Sequence, residues 1–181
     1  RMIHVSFDQP FEEQLEFFRQ KGYEISPTSW RDVWRDAHCR SFTVARVTAM
    51  DVLKDIRTAL DVSMASGETM RDFREGLREA LEKKGWYAPE GTDAVVTMPD
   101  GTVRKRLTGW RLNSIYRTNH SAACHAGRHK QMQEVKESRP YWQYKTAGDP
   151  SVRKTHEAQT DKVYHADHPF WNFWYTPNGF G

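Results

Sequence analysis

Between Trp110 and Ser138 the chain carries an unbroken helical pattern, and this stretch constrains the fold more than any other. Leu112, Ile115, Tyr116, Asn119, Ala122, Ala123 and Ala126 recur along one side of it. The small residues Ser121, Ala122, Ala123, Ala126 and Gly127 leave room for a second backbone to come close. The pattern predicts a long helix at the centre of the fold, with the C-terminal segment laid on its small-residue face. Pro140 ends it, because the residue before a proline disfavours helix.

Other elements are placed around that helix by their punctuation. Asp8 is the expected cap of a first helix, with Pro10 in its first turn, Phe11, Leu15 and Phe18 on one face, and Gly22 as its stop. Thr28 or Ser29 opens a second helix. Trp30, Val33, Trp34, Ala37, Val44, Ala45, Val52, Ile56 and Leu60 hold the helical period to about Ser63. That run of about 35 residues would reach roughly 50 Å at 1.5 Å per residue. Gly67 breaks it, Thr69 caps a third helix with Phe73, Leu77 and Leu81 facing inward, and Gly85 stops that one. Val95, Val96 and Met98 lead into Pro99-Asp100-Gly101 with Val103 beyond, which predicts a hairpin over Ala94–Leu107. Its second strand, with Arg104, Lys105 and Arg106, is too basic to be buried. After Pro140, Tyr141, Trp142 and Tyr144 suggest a strand, and Asp149-Pro150 starts a turn or short helix through Glu157. Val163-Tyr164-His165 suggests a further strand, and Phe170, Trp171, Phe173, Trp174 and Tyr175 form an aromatic cluster.

The expected fold class is therefore α+β. It has a predominantly helical N-terminal half, a long central helix, a small antiparallel sheet or hairpins, and an irregular aromatic-rich C-terminal segment. Residues 1–92 form the helical region. Residues 93–181 hold the hairpin, central helix and aromatic segment, and the two regions are expected to behave as one cooperative unit.

Composition narrows the class of protein. Hydrophobic residues are 38% and charged residues 28%, ordinary for a globular chain. No apolar run reaches the roughly 18–20 residues of a membrane-spanning helix, so no membrane partner is expected. The start has no apolar core of signal-peptide length. Cys39 and Cys124 lie far apart in helical patterns, as expected of reduced, buried thiols in a cytosolic product. The net charge is only +3, yet Arg104–Lys154 carries 12 Lys and Arg against 3 Asp and Glu, a local +9. Such a segment is a candidate contact for a polyanion or an acidic protein surface, with Arg104, Lys105 and Arg106 as its leading residues. A basic solvated face balanced by acidic neighbours explains it as well.

Several groupings have ligand or catalytic chemistry. His156 lies near Asp149, Asp161, His165, Asp167 and His168, and imidazoles with carboxylates bind zinc, iron or manganese. The candidate ligands are His156, Asp161, His165 and His168, with zinc as the ion. No His-Glu-x-x-His or Cys-x-x-Cys spacing accompanies them. A hydrogen-bonded network beneath the aromatic cluster uses the same residues, and no resident cofactor is expected. His120, His125 and His129 share the central helix and read as exposed side chains on a basic surface. Arg117 and Arg128, with Asn119 and Gln131, fit phosphate or carboxylate clamps in an enzyme. The preferred reading has the arginines cross-linking to Asp149, Asp161 or Asp167 by bidentate hydrogen bonds. There is no glycine-rich phosphate loop and no Gly-x-Ser-x-Gly, so no catalytic residue is assigned.

Several ordered blocks resemble one family across nearly the whole chain. Phe11-Glu12-Glu13-Gln14-Leu15-Glu16-Phe17-Phe18 resembles the opening of phage Mu protein F-like proteins, and Trp30-Arg31-Asp32-Val33-Trp34 looks like their second helix. Arg117-Thr118-Asn119 with Ala126-Gly127-Arg128 and Gln131 is similar to their central helix. The closing block carries Trp142, Tyr144, Asp149, Arg153, His156, Asp161, Asp167, Phe170 and Trp171, then Pro177-Asn178-Gly179. In the family the final Asn-Gly-aromatic-Gly is followed by Cys-Arg-Cys, and here the chain stops first. Some relatives also have paired cysteines near the positions of Arg153 and His156. Family proteins are longer, so this sequence is expected to be a portion of one.

The resemblance implies a minor head protein of a tailed bacteriophage, with the motif residues structural. It implies residence in the virion at the head or portal, and in host cytoplasm during assembly. The implied partners are the portal and other head proteins, with packaged double-stranded DNA a candidate contacted without regard to sequence. The competing reading is a metal-dependent nuclease, hydrolase or toxin-delivery domain that uses the C-terminal His/Asp cluster.

Overall fold

A computed structural model of the protein describes residues 10–23, 25 and 41–175. The first helix, α1 (Glu12–Arg19), starts behind Phe11, with Glu12 and Glu13 at its positive end and Leu15 and Phe18 buried. Phe11 stands at its N-cap, and Asp8, the expected cap, lies outside the described residues. Next comes β1 (Gly22–Tyr23), so Gly22 extends the chain instead of ending α1. It pairs in parallel with β2 (Ser41–Phe42). The ring of Phe42 meets Phe18 edge-on at 5.8 Å.

The expected helix from Thr28 to Ser63 is not continuous. Residues 26–40 lie outside the described residues, but Ser41–Ala49 is described and is not helical. It holds β2 and a turn in which Arg46 has φ 65. Helix α2 begins only at Met50 and runs to Ser66. The physical reason lies in Phe42-Thr43-Val44 and Val47-Thr48, aromatic and β-branched residues that favour extended backbone. Phe42, Val44 and Val47 are all buried, and the two-residue step from Phe42 to Val44 would put them on opposite sides of a helix. Helix α2 closes on Gly67 in the left-handed region, φ 72. Helix α3 (Met70–Lys83) starts with a reciprocal capping box between Thr69 and Asp72 and buries Phe73, Leu77 and Leu81.

The hairpin forms as expected. Strands β3 (Val95–Thr97) and β4 (Val103–Lys105) are antiparallel, with Val95 opposite Lys105. Their turn is fixed by the Asp100 carboxylate, which accepts from the backbone N and Oγ1 of Thr102 at 2.9 and 2.6 Å. The central helix, α4, spans 26 residues, Gly109–Glu134, and the Thr108 side chain accepts from its first turn. Strand β5 (Tyr141–Gln143) pairs antiparallel with β6 (Val163–His165), and the short helices α5 (Lys154–Glu157) and α6 (Trp171–Trp174) flank β6 in sequence. The fold is α+β, and among the described residues the parallel β1–β2 pair is the sheet the sequence did not suggest.

Two apolar clusters share α4. The larger draws Leu15, Phe18, Phe42, Ile56, Leu60, Phe73, Leu81, Leu112 and Ala123 from α1 through α4, on both sides of residue 92. The smaller gathers Trp142, Tyr144, Ala166 and Trp171, with Met132 of α4 packed against it. The small-residue face of α4 therefore receives α1, and the C-terminal segment packs farther along. A Cβ on Gly127 would lie 2.8 Å from Phe11 Cζ and 2.9 Å from the backbone N of Gln14. Lys130 Nζ meets Glu16 at 2.6 Å, and Gln131 donates to Glu13 at 3.2 Å.

Two glycine substitutions of opposite sign test this packing. Gly127→Ala gains helix propensity but drives a methyl into backbone, so a net loss of about 1–2 kcal/mol is expected. Gly76, exposed within α3 with nothing within 4 Å of a built Cβ, should gain about 0.5–1 kcal/mol as Ala. Urea denaturation of both variants checks the pair, and equal effects would rule out the close approach of α1.

Candidate functional site

The C-terminal segment carries most of the residues with ligand chemistry. Alternation along β5 and β6 turns Trp142 and Tyr164 inward and leaves Tyr141, Gln143, Val163 and His165 exposed. His156 is half-buried, shares a 2.8 Å hydrogen bond with the Tyr144 hydroxyl through Nδ1, and meets the Trp174 ring edge-on at 5.4 Å. Asp161 sits at φ 67, a conformation Asp tolerates better than most residues, and pairs with Lys145 while accepting from Gln143 Nε2 at 3.1 Å. The Asp149 carboxylate accepts from Ser151 Oγ at 2.5 Å and Ser151 N at 2.9 Å, bonds that hold its pKa below the ordinary value. Asp167 takes a 2.9 Å bond from Lys136 Nζ, which likewise lowers its pKa.

The remaining histidines serve turns. His165 Nδ1 accepts from Asp167 N at 3.3 Å, and its carbonyl accepts from Trp171 Nε1 at 3.0 Å. His168 Nδ1 accepts from Phe170 N at 3.1 Å while its ring stacks on Tyr164. Arg153 is exposed at the start of α5. Phe170 and Trp171 lie in the aromatic cluster, but Phe173 is 73% exposed and does not join it. His156, Asp161, His165 and His168 thus each hold a separate local contact. Among the described residues no three His, Cys, Asp or Glu converge where an ion would sit.

The basic hairpin strand is split by the same alternation. Arg104 lays its guanidinium over the Trp86 ring at 4.6 Å, and Arg106 donates to the Asp93 carbonyl. Both are half-buried, so none of the three basic residues is fully buried, as expected of so basic a strand, but two of them give up part of their exposure to packing. The apolar stems and planar heads of arginine can cover a ring or reach a carbonyl while keeping access to water. Lys105, on the opposite face, is exposed.

On α4 the expected cross-links are not formed. Arg117 and Arg128 are exposed, and among the described residues neither meets a carboxylate. The carboxylates of Asp149, Asp161 and Asp167 already have the nearer partners given above. Asn119 donates to the Ile115 carbonyl at 2.8 Å. The three histidines are half-buried instead of exposed. His120 Nε2 lies 2.9 Å from Ser63 Oγ and its ring stacks on Tyr116. Ser63 Oγ donates its only proton to Leu60 O, so His120 must donate through Nε2–H. His129 packs edge-on to Trp142 and Tyr175.

Sequence reading missed Arg57, which sits in an otherwise apolar helical pattern. Its Nη2 donates to the carbonyls of Arg19 and Lys21 at 2.9 and 2.8 Å, and its guanidinium stacks on Tyr23. Such a helix-end anchor has no local sequence signal. Cys124 is free and half-buried, not buried as expected. Cys39, Pro177, Asn178 and Gly179 lie outside the described residues.

Burial lowers the pKa of His120, His125 and His129, with Arg128 adding to the effect on His125. The unfolded chain therefore takes up protons near pH 6.5 that the folded chain resists. Stability from these groups is complete above that pH and is lost as pH falls toward the folded values. The melting temperature should drop between pH 7 and 5, and less so in His120→Gln, which keeps a donor for Ser63. An unchanged slope in that variant would remove His120 from the account.

Comparison with known proteins adds an independent line. The family described as "Phage Mu protein F like protein" matches residues 54–181. A protein of Escherichia phage Mu named for capsid assembly, protein F, is 36% identical over 172 residues, covering 94% of this chain and 38% of that protein. The Mu-like prophage FluMu F protein of Haemophilus influenzae is 35% identical over 153 residues, covering 84% of this chain and 36% of that protein. The chain thus spans well under half the length of these relatives. No solved structure matches it.

Proposed function

Because the chain belongs to the phage Mu protein F-like family, we propose that it is a structural part of a tailed-phage head that acts in capsid assembly and has no catalytic role. The observation that carries this reading is the likeness over 94% of the chain to a protein named for capsid assembly. The engagement of His156, Asp161, His165 and His168 in separate turns supports it, because metal-dependent hydrolysis needs such groups to converge on one ion. Its partners in this reading are other head proteins, the portal among them, and it works in the host cytoplasm before residing in the virion.

Cosedimentation of the tagged chain with procapsids is the direct test. The purified chain should also leave DNA and RNA intact with magnesium, manganese or zinc. Metal-dependent cleavage that vanishes in His156→Ala, with the melting curve unchanged, would sink the proposal.

The basic segment supports a second partner of the same assembly, packaged DNA held through phosphates and not bases. Lys105 is its leading residue on the hairpin, with Arg104 and Arg106 able to contribute charge from the other face. Lys105→Glu should weaken a low-affinity, salt-sensitive retention of duplex DNA without unfolding the chain. Normal DNA retention with failed entry into procapsids would instead assign the hairpin to a protein surface.

A further inference from the structure

The solvent side of α4 carries a regular seam. Trp110, Ser114, Arg117, Ser121, Cys124, Arg128, Gln131 and Val135 follow one another at alternating four- and three-residue steps, the last at the helix C-cap; Ser114 and Cys124 are half-buried, and Gln131 also reaches Glu13 of α1. That spacing keeps side chains in one line along a helix and matches the seam by which two helices pack lengthwise. It lies away from Leu112, Ile115 and Ala123, which face the core. Trp110 is 77% and Val135 46% exposed, so both ends of the seam present apolar surface to water. Between the arginines stand Ser121 and Cys124, small enough to let a second helix approach to the short end of the usual 8–10 Å range. Ser114 turns its hydroxyl back to the Trp110 carbonyl at 3.1 Å and offers no outward donor.

None of the eight positions is acidic, and the two arginines have no carboxylate among the described residues. They are 11 residues apart, about 16 Å along the axis. We infer that this face of α4 is the docking seam for an acidic α-helix of a partner protein, with carboxylates at matching 11-residue spacing. A helix fits better than a nucleic acid. Only two of the positions are cationic, the rest being neutral or apolar, whereas a phosphate-tracking surface is dominated by Lys and Arg. The inference rests on the geometry of α4 and not on the head-assembly reading.

The test uses the 181-residue chain and two labelled helical peptides with a Leu/Ala seam. One has Glu and the other Lys at two seam positions 11 residues apart. Fluorescence anisotropy should show the Glu peptide bound at least about tenfold more tightly than the Lys peptide, or about 1.4 kcal/mol. Arg117→Glu with Arg128→Glu should reverse that order. Arg117→Gln with Arg128→Gln should abolish the preference, and both variants should keep the parent melting curve because the sites are exposed. Equal binding of the peptides, no binding of the Glu peptide, or its displacement by equimolar 25-base-pair duplex would overturn the inference. So would self-association of the chain that disappears in the Glu variant, which would assign the seam to a second copy.

Discussion

Gly127 has no side chain, and the separation of α1 from α4 follows from that. The backbone of Gln14 occupies space that any Cβ at 127 would take. Once α1 lies this close, Leu15 and Phe18 reach the main core, and Phe18 meets Phe42. Arg57 of α2 then binds the carbonyls left open at the end of α1, which also turns the chain into β1 beside β2. Those carbonyls form the negative end of the helix, so a guanidinium satisfies hydrogen bonds and the helix dipole together. The arrangement depends on an absent methyl at one end and a present cation at the other.

The same helix supports the C-terminal segment by a different kind of contact. Near its end, α4 offers His129 and Met132 to Trp142 and Tyr175, and no close backbone approach is needed. A cluster built from large rings against one helix tolerates an irregular chain, because rings pack through faces and edges at several angles. Asp149, Asp161, Asp167 and His168 then fix the turns that a regular ladder would otherwise fix. Polar residues used in this way resemble a ligand set in sequence, since both uses call for short side chains with strong acceptors.

That ambiguity explains where the sequence was legible. Capping at Thr69, the stop at Gly67, the Asp100-Gly101 turn and the inward face of α3 were readable because each is decided within a few residues. The break before Met50 was not, because Val44 and Ala45 fall in step with the helical run while Phe42, Val44 and Val47 are placed by contacts in the core. The partner of the small-residue face was also hidden. Ala123 and Gly127 announce a close approach but do not say which backbone makes it. Arg57 and the His120–Ser63 pair join residues 36 and 57 positions apart, and nothing local records such a pairing.

The basic middle of the chain makes a final point about charge. Counted along the sequence, Arg104–Lys154 is one patch of +9. In the fold, its arginines take different roles. Arg104 covers Trp86, Arg106 and Arg111 donate to backbone carbonyls, and burial lowers the pKa of Arg111. Arg117 and Arg128 stand in solvent on α4. Guanidinium groups can cap carbonyls and cover rings without losing their charge, so a run of arginines reports packing and partner contact in one composition. What remains available to a partner is therefore set by exposure, and on α4 that remainder is a narrow seam with two cations and apolar ends.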